Sequence, residues 1–361
     1  MIIIIGGGVA GLSLGWQLAK SGAPVTVLEQ AQIGSGASHA AASYLEPRLG
    51  TGAMRRLEWA SVKLWPDFAA ELEEVSGHSI DYRRDGQLRI AFAENTAQEK
   101  AAVRQRLSEG WRAEWVEGKA MRELEPHLSQ EVKGAAYLPD VDWLDGRKLC
   151  QALAKAIDIK GGTVREHIQV RSIVTGSGRA TGVQTQEGLI EADKIVVCAG
   201  LGTNEIADLP KDIPAARPVK GVMLALAMDP AAPLVNRLIK RPDGILCPRS
   251  DGRLLVGVTH EEGETSKLAS VETIQALLQS AIRAVPAIAG LGFIEAACGI
   301  RSLIGDGLLR LGHSSSLDGL YYSLSHAGAG FIRAPAISNE LAQFVLNRSA
   351  ECPNIDQFLK R

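Results

Sequence analysis

The sequence is poor in several features that mark particular classes of protein. Its five cysteines (Cys150, Cys198, Cys247, Cys298 and Cys352) are scattered and form no CxxC pair. This spacing argues against a disulfide framework or a cysteine-ligated zinc site and favours free thiols in a reducing compartment. There is no basic block and the net charge is only −2, so nucleic acid is not expected as a partner. The histidines show no metal-ligand spacing, and no metal site is predicted.

Uninterrupted apolar runs are also short. The chain opens with MIIIIGGGVAGLSLGW, which lacks the positively charged start of a signal peptide and is too short to span a bilayer. The run is typical instead of a buried strand followed by a glycine-rich turn. No membrane span is predicted, and the cytoplasm is the expected location.

The composition that is present is that of an ordinary globular protein. Of 361 residues, 46% are apolar and 22% are charged. One hydrophobic core rarely supports a chain of this length, so about two domains are expected.

Periodicity along the chain predicts both helices and strands. The run Ile2–Ile5 predicts a strand buried on both faces, and the segments LSLGWQLAKSG and PVTVLEQ complete a βαβ unit. A long amphipathic helix is predicted over 53–76, and a hairpin is predicted to turn at Asp85–Gly86. Residues 34–43 are expected to form a loop. Further helices are predicted within 94–109, 148–162, 271–285 and 331–346, and further strands within 163–175, 179–188, 189–200, 217–228, 244–249 and 253–260.

A dinucleotide-binding fingerprint lies between the first predicted strand and helix. Gly6 permits the tight turn, Gly8 allows backbone amides to approach a pyrophosphate, and Gly11 allows close packing of helix on strand. Glu29 ends the second strand, where its carboxylate can accept hydrogen bonds from ribose hydroxyls. The alternative, a glycine-rich turn that binds nothing, leaves the acid and the flanking elements unexplained.

Two further observations favour FAD over NAD as the dinucleotide. The segment TGVQTQEGLIEADKIVVCAG places strands before Cys198-Ala199-Gly200, similar to the segment that closes over the dinucleotide in glutathione-reductase-like FAD folds. Only one GxGxxG occurs, so a second, NAD-binding domain is not expected, and the missing CxxC argues against a disulfide reductase.

Several segments together resemble the FAD-dependent glycine oxidase and D-amino-acid oxidase (DAO) family, in particular the bacterial glycine oxidases of thiamine synthesis. They occur in the family's order and cover nearly the whole chain. The matching segments are IIGGGVAGLSLGWQLAKSG, GASHAAASYLEP, REHIQV, RPVKGVML, GILCPRSDGRLLVGVT, GIRSLIGDGLLRLG and SHAGAGFIRAPA.

The resemblance implies a role for Arg301, which lies in an otherwise small and apolar run. In the family, the matching arginine holds the substrate carboxylate above the flavin. A planar guanidinium suits this role because it can donate two parallel hydrogen bonds to a carboxylate. The structural alternative is an ion pair between Arg301 and a nearby acid such as Asp306.

The loop Ser325–Gly330 resembles the family segment whose backbone amides face the pyrimidine end of the flavin. Amides at a helix N-terminus stabilise negative charge that develops there on reduction. An ordinary glycine-containing helix cap is the alternative and is compatible with the same role. The fingerprint and the resemblance together give the residues expected to contact FAD, which are Gly6, Gly8, Val9, Ala10, Gly11, Glu29, Gln30, Ser38, His39, Ala40, Ala41, Val170, Ala199, Gly200, Gly299, Arg301, His326, Ala327, Gly328, Ala329, Gly330 and Phe331.

The sequence departs from the family at the substrate pocket. Ile245 stands where glycine oxidases carry a tyrosine that helps to hold the carboxylate, while Tyr44 and His260 stand at positions that are often methionine. Tyr44, His260 and Ile245 are therefore expected beside Arg301 in the substrate site, with Arg301, Tyr44 and His260 as the candidate catalytic residues. The alternatives are a core aromatic for Tyr44 and a surface histidine for His260. His39 lies where some related dehydrogenases attach FAD covalently, although the register is shifted by one residue.

These expectations converge on an FAD enzyme that oxidises the C–N bond of glycine or a D-amino acid by hydride transfer, with oxygen or another electron acceptor. One alternative is a dehydrogenase or tRNA-modifying oxidase acting on an N-substituted glycine or another secondary amine. The other is a flavin-binding subunit of a hetero-oligomeric oxidase. A homo-oligomer is also possible on this sequence.

The expected fold is mixed α/β, with a glutathione-reductase-like FAD-binding Rossmann domain and an inserted antiparallel-sheet substrate domain. The FAD-binding domain is predicted to comprise 1–80, 135–215 and 299–361, and the substrate domain 81–134 and 216–298.

Overall fold

The computed structural model describes residues 1–347 and the backbone of residues 359–360. Its strands, in chain order, are β1 (Ile2–Ile5), β2 (Val25–Leu28), β3 (Gln87–Ala91), β4 (Glu114–Val116), β5 (Gly134–Leu138), β6 (Thr163–Arg165), β7 (Val170–Gly176), β8 (Arg179–Thr185), β9 (Gly188–Glu191), β10 (Lys194–Val197), β11 (Ala216–Ala227), β12 (Leu238–Arg241), β13 (Gly244–Pro248), β14 (Arg253–Gly257), β15 (Glu261–Glu262), β16 (Gly292–Ile304), β17 (Arg310–His313), β18 (Leu320–Leu324) and β19 (Leu359–Lys360). Its α-helices are α1 (Val9–Lys20), α2 (Ala53–Ser76), α3 (Thr96–Ser108), α4 (Gly118–Leu124), α5 (Gly146–Ile159), α6 (Val271–Ala284) and α7 (Gly330–Val345).

The first large sheet is built around β1. All four isoleucines of β1 are buried, because the sheet is covered on both faces and leaves no solvated side. Strand β1 pairs in parallel with β2 and with β10, in the order β19-β17-β18-β10-β1-β2-β6. Helices α1, α2, α5 and α7 pack together on one face of this sheet, and a small sheet, β7-β8-β9, packs on the other. The predicted βαβ unit is confirmed.

The second large sheet is mostly antiparallel and follows the order β15-β11-β14-β13-β12-β3-β5-β4, with β16 paired along β11. One face packs against α6 through a core that includes Val222, Leu224 and Val256. The opposite face carries Met223, Ile245 and other residues of a separate core cluster. This second face meets the loop that follows β2, because Ala40, Ala42 and Tyr44 of that loop pack in the same cluster.

The pairing of strands bears on the predicted domain ranges. Strand β5 and residues 299–304 of β16 pair within the second sheet, although the predicted ranges place them with the FAD-binding segments. The division into two domains itself stays a prediction.

Other local predictions meet mixed outcomes. The helix predicted over 53–76 matches α2, and the expected loop after β2 forms turns without a helix. The hairpin at Asp85–Gly86 is wrong: β3 is a single strand that pairs with β5 and β12, while Arg83 bridges to Trp143. The strands that complete β3 come from distant parts of the chain, which local periodicity does not indicate.

Two predictions drawn from absences can also be compared with the structure. Cys150, Cys198, Cys247 and Cys298 are free thiols, and Cys352 lies outside the described residues. None of the helices in the described part of the chain is both long enough and apolar enough to cross a bilayer.

Candidate active site between the two large sheets

The fingerprint glycines lie where β1 turns into α1, and each meets a different environment. Gly6 has φ +112°, and a Cβ there would lie 2.6 Å from the carbonyl oxygen of Cys198. A Cβ on Gly11 would overlap the carbonyl oxygen of Gly6. A Cβ on Gly8 would meet only the Ser38 hydroxyl, at 3.4 Å. Gly6 and Gly11 are therefore required by packing, whereas Gly8 leaves space open at the start of α1.

Glu29 lies beside this turn. Its Oε2 accepts a hydrogen bond of 2.7 Å from the Gly7 amide, and its Oε1 accepts one of 2.9 Å from the Ala31 amide. Ser38 Oγ accepts a hydrogen bond of 3.1 Å from the Val9 amide. The carboxylate and the hydroxyl are thus held at the mouth of the turn by backbone amides.

The end of β10 closes the other side of the turn. Cys198 and Ala199 pass directly behind Gly6, and Gly200 adopts φ +57° as a short 3₁₀ turn begins. Gln30 lies near this turn, with its amide nitrogen facing Gly202. Val170 is buried at the start of β7.

The start of α7 forms a second set of backbone amides. The N-cap residues of α7 and α1 accept no hydrogen bond through a side chain. In α1 the Val9 amide is bound by the Ser38 hydroxyl, and further amides of both first turns lack intrahelical acceptors. A Cβ on Gly330 would lie 3.3 Å from a Val9 methyl group, which brings the two helix starts together. Ala327 adopts φ +53° ahead of the helix.

His326 is a neutral, buried part of this loop. Burial, with a smaller contribution from Arg333, lowers the pKa of His326 to about 3. Its Nε2 lies 3.0 Å from the Ser323 hydroxyl, whereas its Nδ1 is buried without a hydrogen-bond partner. Phe331 packs its ring against Gly146 in the helical core, which leaves its backbone amide as the group available to a cofactor.

These features fit FAD. Two helix starts whose N-cap residues provide no side-chain cap meet at an open glycine, which suits a pyrophosphate, and an acidic side chain lies at the adjoining strand end. Gly299 of β16 brings the second sheet close to the loop after β2, because a Cβ there would lie 3.0 Å from the methyl group of Ala40. Ala41 follows in the same loop and packs on the helical core.

Arg301 projects from β16 beside the α7 loop. A Cβ on Gly328 would lie 3.8 Å from its Nε, and a Cβ on Gly221 would overlap its guanidinium. Its two terminal nitrogens each lie 3.4 Å from the Thr259 carbonyl oxygen. Burial lowers the pKa of Arg301 from its ordinary value, and within residues 1–347 no carboxylate lies at ion-pair distance from it.

The alternative partner of Arg301 is engaged elsewhere. Asp306 accepts a hydrogen bond of 2.8 Å from Arg310 and one of 3.0 Å from the Leu308 amide. The residues that fit FAD, namely Gly6–Gly11, Glu29, Ala199–Gly200 and the loop before α7, are called the FAD cradle here. The guanidinium of Arg301 is half-buried beside this cradle with only a carbonyl oxygen as its acceptor, an arrangement that favours an anionic ligand.

A row of residues crosses the second sheet on the same face as Arg301. Met223 is opposite Gly257, Gly257 is opposite Ile245, and Ile245 is opposite Lys240. Residues directly opposite each other in antiparallel pairs share a face. Arg301 shares it too, because it lies four residues along β16 from Ala297, which is opposite Met223.

Tyr44 reaches this face from the loop after β2. Its Oη accepts a hydrogen bond of 2.7 Å from Lys240 Nζ, and the ammonium also lies 4.6 Å from the centre of its ring. Burial lowers the pKa of Arg301, and the nearby Tyr44 phenol opposes this effect. Tyr44 packs on the core cluster that contains Ile245, the position at which the resemblance implied a missing phenol.

Lys240 was missed by the sequence analysis. The sequence did contain a turn signal beside it, since Pro242 and Asp243 form the two-residue connection between β12 and β13. A hairpin predicted at that turn fixes Lys240 opposite Ile245.

Two other candidates, His260 and His39, lie in different surroundings. His260 is 64% exposed and its Nε2 lies 3.6 Å from Glu262. It follows Thr259, whose carbonyl oxygen lies 3.4 Å from the Arg301 guanidinium, and its role in the substrate site stays a prediction. The chain turns outward after β14, where Thr259 Oγ1 accepts from the Val222 amide and donates to Glu261. His39 is half-buried, and its carbonyl oxygen accepts a hydrogen bond of 3.1 Å from Arg147.

The fold and the cradle together define an FAD-binding oxidoreductase of the Rossmann type. The family profile described as "DAO: FAD dependent oxidoreductase" matches residues 1–344. The chain belongs to this family.

Individual relatives agree with this assignment. The chain is 30% identical over 356 residues to the "Bifunctional protein ThiO/ThiG" of Nostoc sp., covering 97% of this chain and 53% of that protein. It therefore spans about half the length of this relative. It is 27% identical over 362 residues to a glycine oxidase of Bacillus licheniformis, covering 99% of this chain and 95% of the relative. A solved glycine oxidase structure from Bacillus cereus superposes with a TM-score of 0.92 at 27% identity, covering 100% of this chain and 98% of that one.

Proposed function

We propose that the protein oxidises the C–N bond of a small amino acid, with glycine and D-amino acids as the first substrate class. The observation that carries the proposal is Arg301, a half-buried guanidinium beside the FAD cradle with no carboxylate partner among residues 1–347. The relatives named as glycine oxidases support the same chemistry.

FAD, held by the turn at Gly6–Gly11, Glu29, the Ala199–Gly200 turn and the amides of the α7 loop, would supply a two-electron acceptor for the substrate. Arg301 would bind the substrate carboxylate through two parallel hydrogen bonds and thereby fix the direction of the Cα–H bond. The Tyr44 hydroxyl accepts from Lys240, so its own proton is free to be donated to the same carboxylate.

No protein base is needed for this step. Among the described residues, no histidine or carboxylate side chain forms a hydrogen bond or ion pair with Arg301 or Tyr44. The amine of the substrate would therefore lose its proton to solvent before hydride transfer, and the imine product would hydrolyse after leaving. Oxygen or another electron acceptor would complete the cycle. A cytoplasmic location and a homo-oligomeric state stay predictions.

An anaerobic spectral screen tests this function. The FAD-loaded protein is mixed with glycine, D-amino acids, and N-alkylglycines as representatives of secondary amines, and the flavin band at ~450 nm is followed. Bleaching by at least one primary amino acid is expected. Bleaching by N-alkylglycines alone would replace the proposal with oxidation of secondary amines. No bleaching by the isolated chain, with activity restored by a co-purifying partner, would support a flavin-binding subunit instead.

A further inference from the structure

Lys240 lies in a cluster of charges that does not neutralise it. Arg89 pairs with Glu46 at 3.0 Å and with Glu99 at 3.2 Å, and Arg106 pairs with Glu46 at 3.0 Å. Both carboxylates are thus bound by arginines. The cluster of three cations and two carboxylates keeps one positive charge, and Lys240 is the member whose hydrogen bond goes to the Tyr44 hydroxyl rather than to a carboxylate.

Glu46 does not change this balance. Burial alone would raise the pKa of Glu46, yet Arg89, Lys240 and Arg106 together hold it below its usual value. Glu46 is therefore ionised and forms ion pairs with Arg89 and Arg106. Lys240 attracts Glu46 electrostatically, without an ion pair or hydrogen bond between them.

The ammonium of Lys240 keeps donors available. An ammonium has three N–H groups, and the hydrogen bond to Tyr44 uses one of them. Lys240 and Arg301 share a face of the second sheet, and Tyr44, which accepts the hydrogen bond from Lys240, packs on the same face. The face thus presents two cations that form no ion pair with a carboxylate within residues 1–347.

We propose that this face binds an amino acid with two anionic ends, in which Arg301 takes the α-carboxylate and Lys240 takes a second carboxylate. The inference rests on the proposed function, because it takes the α-carboxylate site at Arg301 as given. It adds a substrate class, the acidic amino acids and their N-carboxyalkyl analogues, and it names Lys240 as the residue that selects them.

One carboxylate bound by Arg301, Tyr44 and Lys240 together is the competing arrangement. In that case every carboxylate ligand would lose affinity when Lys240 is changed. Two separate sites predict instead that only a ligand with a second anionic end is affected. The two arrangements are separated by a pair of ligands that have the same length and differ in one charge.

Binding of non-reacting ligands to the FAD-loaded protein provides that pair. Glutarate and glutaramate (5-amino-5-oxopentanoate) have the same shape, carry no α-amine to be oxidised, and differ by one carboxylate. Calorimetric titration should show that glutarate binds about ten- to a hundredfold more tightly than glutaramate. Lys240→Met should abolish this preference and leave the dissociation constant of glutaramate within about twofold of wild type.

Two controls accompany this variant. Lys240→Gln keeps a donor for Tyr44 without the charge, and it should lose the preference as well. Lys63→Met removes an exposed lysine from α2 and should leave both constants unchanged. FAD content and melting temperature establish that each variant is folded.

The outcomes separate the two claims. Equal binding of glutarate and glutaramate by wild type, or a preference that survives in both Lys240 variants, overturns the second site. Equal weakening of both ligands in the Lys240 variants overturns it too and supports a single shared carboxylate. Binding of glutaramate that is unchanged by Arg301→Leu contradicts the proposed function itself.

Discussion

The cofactor cradle and the substrate face are built from different chemical groups. The cradle is formed by glycines, backbone amides and the neutral His326, and it arises from a short stretch of chain at the β1–α1 turn together with three loop ends. The proposed substrate face is formed by charged and polar side chains, chiefly Arg301, Lys240 and Tyr44, from two strands and one loop.

Because of this difference, binding of the cofactor and choice of the substrate depend on different groups in the protein. A backbone cradle recognises phosphate through groups that side-chain substitutions leave in place. Recognition by side chains on strands of a rigid sheet changes with each substitution. Variants of the cradle should therefore affect FAD content, and variants of the face should affect kinetics or ligand affinity while FAD stays bound.

The largest effect is expected from filling the cradle. In Gly8→Leu the new side chain enters the space where the pyrophosphate would lie, although the Cβ itself meets only the Ser38 hydroxyl at 3.4 Å. The purified variant should contain no FAD and should melt like wild-type apoprotein. Gly290→Ala is the control, since a Cβ there has nothing within 4 Å. Full FAD occupancy in Gly8→Leu would show that the space at Gly8 does not hold the pyrophosphate, and it would contradict the proposed division between cradle and substrate face.

A smaller but still large effect is expected at Arg301. Arg301→Leu removes a charge-assisted pair with the substrate, which is worth about 3–5 kcal/mol. The value of kcat/KM should fall by several hundred- to several thousandfold, on the order expected from that energy, with FAD content unchanged. Arg301→Lys should recover only part of the loss, because an ammonium lacks the planar fork. Wild-type kcat/KM in both variants would show that Arg301 is structural.

Tyr44→Phe should have an intermediate effect. It removes one hydroxyl that would donate to the substrate carboxylate, a hydrogen bond worth roughly 1.5–3 kcal/mol. KM should rise by about ten- to a hundredfold, with a smaller change in kcat if the hydroxyl binds substrate and transition state equally. Thermal stability should barely change. An unaltered KM for the best substrate would make Tyr44 a packing residue that supports Lys240.

The smallest effect concerns acid stability of the cradle. The pKa of His326 is lowered by burial to about 3 in the folded protein, whereas an unfolded histidine has a pKa of about 6.5. The unfolded state therefore binds more protons between these values, and stability is lost as the pH falls from about 6.5 toward 3.

Replacing His326 tests this reasoning. The melting temperature of wild type should fall more steeply than that of His326→Gln over that pH window, by a few degrees at most. Parallel melting curves for the two proteins would mean that His326 does not contribute to the acid sensitivity.

The βαβ unit that carries the glycine turn was predictable from the sequence because its determinants are contiguous. Strand, glycine turn, helix and acidic residue follow one another between Ile2 and Glu29, and their geometry is dictated by local sterics. The α7 loop and Arg301 were identified through a family resemblance, and the structure places both beside the cradle.

The substrate face was predicted less well because its contacts join distant segments. The hydrogen bond between Tyr44 and Lys240 spans 196 positions, and β3 is completed by strands from two other regions. The role of His260 stays a prediction, because its side chain is exposed while the carbonyl oxygen of the preceding Thr259 lies beside Arg301. The strand register of a sheet shows which distant residues lie beside each other, whereas the periodicity of a single sequence does not.

The central claim is that the enzyme breaks the Cα–H bond of an amino acid in a C–N oxidation. Its most direct test uses the best substrate from the spectral screen, once with hydrogen and once with deuterium at Cα, mixed anaerobically with the FAD-loaded protein. The account predicts that the flavin band at ~450 nm bleaches clearly more slowly with the deuterated substrate and that an oxo acid and ammonia are released. Bleaching at the same rate with both substrates, or without release of ammonia, would contradict it.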